Sequence, residues 1–246
     1  MADTTIETGK ATDVGRRRDH NEDEQKIFTA EDGSLVLVVA DGMGGHLAGE
    51  IASKMAIDTL ERELTHPATN PAAALRAAIE QANKEIWQAA AADPQKAGMG
   101  TTIVAAVVVG STAYLANAGD SPAYLVRAHA TEQLTDDHGL VAEQVKAGLI
   151  TEEDAEHHPY RHMLTRCLGA DEVVDVQTYE PRTLQPGDVL VLCSDGLTEH
   201  VKRNEVAEMA GQNHGITPDD IAQSLVNLAN ERGGHDNITV VVGRVL

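Results

Sequence analysis

The chain has 246 residues, enough for a substantial buried core. It carries 19 basic and 39 acidic residues, a formal charge of −20, which argues against a nucleic-acid or anionic-membrane partner. Two cysteines make no disulfide framework, the first residues are polar, and no apolar run approaches membrane-spanning length, so the expectation is a cytoplasmic protein. No linker or low-complexity tract divides the chain, so residues 1–246 read as a single domain. With one Trp, one Phe and four Tyr, its core must be mostly aliphatic.

Residues 6–14 read as a weak strand, followed by the basic cluster Arg16-Arg17-Arg18 and the acidic stretch 19–23. A strand at 26–29 and an Asp32-Gly33 hairpin lead to residues 35–40, an apolar, β-branched run suited to a central strand. That run ends on Asp41-Gly42, passes through Gly44-Gly45 to His46, then takes up helical spacing at Ala48, Ile51, Ala52, Met55, Ala56 and Leu60. Because a helix follows, Asp41-Gly42 is not a hairpin turn; a carboxylate sits where backbone can approach a small charged ligand. Helices are expected at 48–64 and 71–92, the second with Pro71 near its start. Residues 101–109 and 112–118 read as strands joined by Gly110-Ser111, a type II′ signal, and a further strand covers 123–127.

Residues 135–170 are polar, helical in short pieces and rich in histidine; Thr151 with Asp154 marks a helix start and Pro159 a stop. The stretch reads as a mobile flap over a sheet edge. His157, His158 and His162 lie there without compact metal-ligand spacing. Strands are expected at 173–179 and 188–193, with Cys193 a buried inert thiol. Thr217-Pro218 caps a helix with Ile221, Leu225 and Leu228 inward, ending near Gly233-Gly234, and the last strand covers 238–242.

Asp23, Asp41, Asp120, Asp195 and Asp236 each stand at or within a residue or two of a strand end. Packed sheets share edges, so these carboxylates can meet in space. Clustered carboxylates repel unless cations neutralise them, and an all-oxygen ligand set selects Mg²⁺ or Mn²⁺ over zinc.

RDHNED at 18–23, ADGMGGH at 40–46, GMGTT at 98–102, AGDS at 118–121, SDGL at 194–197 and HDNIT at 235–239 together resemble the metal-dependent Ser/Thr protein phosphatases of the PPM or type 2C family, in their compact bacterial form. The resemblance implies an α+β fold: a four-layer α-β-β-α sandwich, two central and mostly antiparallel sheets flanked by helix pairs. It implies hydrolysis of phosphoserine and phosphothreonine in proteins, the substrates of a Ser/Thr kinase, by a monomeric enzyme using a metal-bridging hydroxide. By the same resemblance Asp41 bridges two metals, the Gly42 carbonyl joins one of them, Asp195 and Asp236 complete the first, and Glu22 and Asp23 serve the second. Arg18 matches the phosphate-binding arginine, His46 the general acid, and Asp120 the ligand of a weaker third metal shared with Asp195. The flap at 135–170 matches the family's variable segment. The family's arginine after AGDS is replaced here by Pro122.

Two competing readings stay open at this level: a catalytically silent binding module of the same fold, and a hydrolase restricted to small phosphoesters.

Overall fold

A computed structural model describes residues 5–44, 47–211 and 215–246. The strands are β1 (Ile6–Asp13), β2 (Asp23–Thr29), β3 (Leu35–Met43), β4 (Gly100–Thr101), β5 (Ile103–Val109), β6 (Thr112–Ala118), β7 (Ala123–Arg127), β8 (Ala130–Gln133), β9 (Gln177–Thr178), β10 (Arg182–Thr183), β11 (Val189–Cys193) and β12 (Ile238–Val245). The helices are α1 (Ala48–Leu64), α2 (Pro71–Ala92), α3 (Leu140–Lys146), α4 (Glu152–Glu156), α5 (Asp195–Thr198), α6 (Arg203–Ala210) and α7 (Pro218–Glu231).

Two sheets form, one in the order β1-β12-β11-β7-β8 and the other β10-β6-β5-β3-β2, with β4 paired to β3 and β9 to β6. Every pairing among these strands is antiparallel. The apolar runs explain the layering, because successive side chains of a strand face opposite ways. Leu37 and Val39 of β3 join Val104, Ala106, Leu190, Leu192 and Val241 between the sheets. Val36, Val38 and Ala40 face the other way, onto Ala52, Leu60 and Ile79 of α1 and α2. Val191 and Val240 meet Val206 of α6 and Ile221 and Leu225 of α7 on the opposite outer face. The result is the α-β-β-α sandwich, with an aliphatic core.

Local chemistry starts and stops the elements where the sequence signals stand. Asn70 and Thr217 cap α2 and α7, each followed by proline, and Thr217 forms a reciprocal capping box with Asp220. Thr151 and Asp154 do the same for α4. Gly110 has φ +58° while Ser111 stays in ordinary backbone, as a type II′ turn between β5 and β6 requires.

The strand expected at 173–179 contracts to Gln177–Thr178. Asn83 of α2 donates to the carbonyls of Asp171 and Glu172 at 3.1 and 3.2 Å, and Val176 is buried against the helix-side core while Val173 stays exposed. Val174 and Val176 therefore pack from a loop, and ladder bonding with β6 begins only at Gln177. The 135–170 stretch is pinned at its neck: Leu140 N–H donates to the Met163 carbonyl at 2.7 Å and Thr165 N–H to that of His138 at 2.8 Å.

Candidate metal and phosphate site

Antiparallel neighbours place the end of one strand beside the start of the next, and this brings the acids together. Asp41 near the end of β3 faces Asp23 at the start of β2 across the ladder. Asp195 follows β11, Asp236 precedes β12, and Asp120 follows β6 beside the start of β5. Arg18, Glu22, Asp41, Gly42, Asp120, Asp195 and Asp236 all line one cleft of about 760 Å³. Among the described residues Asp23 does not line it; Asp23 is 8% exposed and lies behind the wall. His46 falls outside the described residues.

The turn after β3 is fixed by backbone approach. Gly42 N–H donates to the Glu22 carbonyl at 3.2 Å, and a Cβ on Gly42 would stand 2.3 Å from the Gly49 carbonyl oxygen. Only glycine lets the first turn of α1 press on β3 there. The Asp41 carbonyl accepts from Thr102 N–H at 2.8 Å and from the Thr101 hydroxyl at 2.9 Å, while Asp41 N–H donates to Thr102 Oγ1 at 3.1 Å. Thr102 Oγ1 also meets Ser121 Oγ at 2.7 Å, which ties the Asp41 backbone to the loop carrying Asp120. On the far side of that loop, Gly119 N–H donates to His138 Nδ1 at 3.2 Å.

The loop with Arg18 and Glu22 hangs on Asn237. Its Oδ1 accepts from Glu22 N–H at 2.8 Å, and its Nδ2 donates to the carbonyls of Val14 and His20, both at 2.9 Å. Ser194 Oγ donates to Asp23 Oδ2 at 2.7 Å and accepts from Thr239 N–H at 3.0 Å, joining β2 to the other sheet. Arg18 donates to Asp236 Oδ2 at 2.6 Å.

Burial and crowding raise the proton affinity of the carboxylates in and behind the cleft wall. Burial, then repulsion from Asp23, Asp195 and Asp120, holds the Asp41 pKa well above the carboxylate range. Burial and Asp195 do the same to Asp120, and burial and Asp236 raise Asp195. Burial lifts Glu22, and Asp23 reaches about 7 despite the Ser194 bond. Glu22 Oε1 and Asp23 Oδ1 are buried acceptors with no hydrogen-bond partner. Orphaned carboxylate oxygens and mutually repelling acids suit hard divalent cations, whose ligands are oxygen.

The cleft also holds residues that the sequence reading left without a role: Thr102, Arg161, Leu164, Cys167, Glu199 and His235. Of His157, His158 and His162, His162 reaches the cleft wall and the other two are not among the residues lining it. Asn237, Thr102 and Ser194 lie inside the quoted motifs, where each carboxylate drew attention away from the neighbour that orients it. Cys193 is buried in the core beneath α7, its thiol pushed upward in pKa mainly by burial.

Fold and cleft together define a class, four-layer sandwiches with a carboxylate-lined cleft where the two sheets end. The sequence model of the protein phosphatase 2C family matches residues 14–229. The serine/threonine phosphatase stp of Listeria monocytogenes is 42% identical over 236 residues, 94% of this chain and 92% of that one. A Streptococcus agalactiae serine/threonine phosphatase structure superposes with a TM-score of 0.91 at 36% identity, covering 98% of this chain and 100% of that one. The catalytic domain of the protein phosphatase PstP, solved with two manganese ions, gives 0.85 at 33% identity over 99% of each chain. The chain belongs to the protein phosphatase 2C family.

Proposed function

We propose that this chain is a metal-dependent phosphatase that hydrolyses phosphoserine and phosphothreonine in proteins. The observation that carries the reading is the set of acids on one cleft whose pKa values rise through burial and mutual repulsion, an arrangement that costs stability unless cations fill it. A silent binding module has no need of such a set.

Two Mn²⁺ or Mg²⁺ ions would be held by Asp41 between them, with the Gly42 carbonyl, Asp195 and Asp236 on one side and Glu22 and Asp23 on the other. Asp23 would act through water or through Asp41, since it is off the cleft wall. Asp120 would share a weaker third ion with Asp195. When bound, the metals supply an acidified water as nucleophile and neutralise the developing charge.

The chain's own residues then do the positioning. Arg18 exchanges its bond to Asp236 for the phosphate oxygens, which its planar fork suits. Thr101 and Thr102 hold the Asp41 backbone, so its carboxylate keeps a fixed direction. Asn237 holds the Arg18–Glu22 loop in register with Asp236. His46 would deliver a proton to the departing serine or threonine oxygen, a step worth about 10²–10⁴ in rate. The flap at 135–170 would brush the substrate through Arg161, His162 and Leu164 on the cleft wall.

The substrates would be phosphoproteins of a Ser/Thr kinase, met by a monomeric, cytoplasmic enzyme. Among the described residues no helix is long and apolar enough to cross a membrane. The test is turnover of a phosphothreonine peptide and of p-nitrophenyl phosphate, each with Mn²⁺ and with EDTA. Mn²⁺-dependent turnover of the peptide is expected. Turnover of the small ester alone would restrict the enzyme to small phosphoesters, and turnover of neither would reinstate the silent module.

A further inference from the structure

Beside the acid cleft lies a group of different chemistry. Glu199 and His200 follow α5, and His235 ends the Gly233-Gly234 turn before β12. One ligand atom from each of the three lies within 4.8 Å of the other two. His235 Nδ1 stands 3.3 Å from Glu199 Oε1, and the two imidazole rings meet edge to face with centroids 4.7 Å apart. Bonds of about 2.0–2.1 Å in a tetrahedral zinc site separate its ligands by about 3.3 Å, so one edge is already at that length and the third ligand needs a small side-chain rotation.

We infer that Glu199, His200 and His235 form a separate site for a borderline transition-metal ion of the Zn²⁺ class. Two imidazoles and one carboxylate favour such an ion over Mg²⁺, which prefers oxygen throughout. The scaffold is held before any ion arrives: Arg232 donates to the His200 carbonyl at 2.8 Å and pairs with Glu205 at 2.6 Å. His200 Nε2 accepts from His235 N–H at 3.3 Å, a long bond that an ion taking that lone pair would displace. Three protein ligands would leave a fourth position for water or an anion, and Glu199 and His235 themselves line the acid cleft. An ion here would join the end of α5 to the turn before Asp236, linking the segments that carry Asp195 and Asp236.

The experiment uses the whole chain in excess Mg²⁺, so that hard-ion sites are filled. Zn²⁺ is titrated against a chromophoric chelator, and Co²⁺ binding is followed by visible absorption, which is intense for a tetrahedral site and weak for an octahedral one. The wild type is expected to bind one more Zn²⁺ than His200→Ala, at least tenfold tighter than any residual site, and to show the tetrahedral Co²⁺ band. His200→Ala should lose the band, and His200→Cys should restore it with added thiolate-to-metal absorption. Zn²⁺ should raise the melting temperature of the wild type above that of His200→Ala. If His200→Ala fails to fold, Glu199→Gln takes its place in the same comparison. Equal Zn²⁺ stoichiometry and affinity in wild type and variant, or an unchanged Co²⁺ band, would overturn the assignment. None of these readouts depends on phosphatase turnover, so failure here is distinguishable from failure of the proposed function.

Discussion

Arg18 and Asp236 share a bond that, under the proposed function, each would give up, one to phosphate and the other to metal. Both are partly exposed, so the pair contributes little to folding. Arg18→Ala should therefore leave metal binding and melting nearly unchanged while kcat/KM for a phosphopeptide falls by roughly 10–100-fold, mostly through KM. Unchanged kinetics would leave Arg18 a member of the basic cluster Arg16-Arg17-Arg18 with no part in binding phosphate. Asp195→Ala and Asp236→Ala should each abolish turnover and weaken Mn²⁺ binding in calorimetric titration, because no neighbouring group replaces an anionic ligand. Asp120→Ala separates two roles for a loop acid. If Asp120 holds a third ion, two metals stay bound and the fold survives while turnover drops at least tenfold. If it only shapes the turn, melting falls by about 0.5–2 kcal/mol of stability and kcat holds. At this scale the sequence was informative about acids and poor about their supports. Aspartates at strand ends stand out, whereas Asn237, Thr102 and Ser194 matter through partners up to 223 positions away, which spacing does not reveal.

At the scale of elements, the long apolar runs and capped helices were legible because burial and capping each leave a local mark. α1 and α2 run over the residues expected from helical spacing alone. β8, α5 and α6 left weaker marks. β8 is polar and follows a two-residue turn at Ala128-His129, both at positive φ (47° and 66°), where hairpins normally use Asn-Gly. Without that signal the β7–β8 hairpin has no sequence signature. The left-handed backbone is also strained for these residues, which gives a test. Replacing Ala128-His129 by Asn-Gly should raise stability by about 1 kcal/mol, read as a higher melting temperature in EDTA, with kcat unchanged. A lower melting temperature would mean that His129 makes contacts worth more than the strain.

For the whole molecule, the cleft acids set how metal-free stability responds to pH. Burial and mutual repulsion raise Asp41, Asp120 and Asp195, burial raises Glu22, and Asp23 reaches about 7 from an ordinary 3.8. Between those two values the folded chain binds more protons than the unfolded one, so its stability is greatest at the acid end and falls as pH rises. In EDTA, melting should be higher at pH 5 than at pH 8, and the increment added by Mn²⁺ should be larger at pH 8. A metal-free melting temperature that climbs from pH 5 to pH 8 would show that these acids are not strained by their neighbours.

β12 lies between β1 and β11, and among the described residues it is β1's only ladder partner. Of the described strands the ribosome makes β1 first and β12 last, at roughly 5 to 20 residues per second. For much of its synthesis the chain must therefore carry an unpaired edge, with Asn237 not yet present to seat the Arg18–Glu22 loop. Under the proposed function the cleft would be complete only once Asp236 and Asn237 have been made and β12 has docked between β1 and β11, so a chain lacking β12 would be inactive however much of the rest had folded.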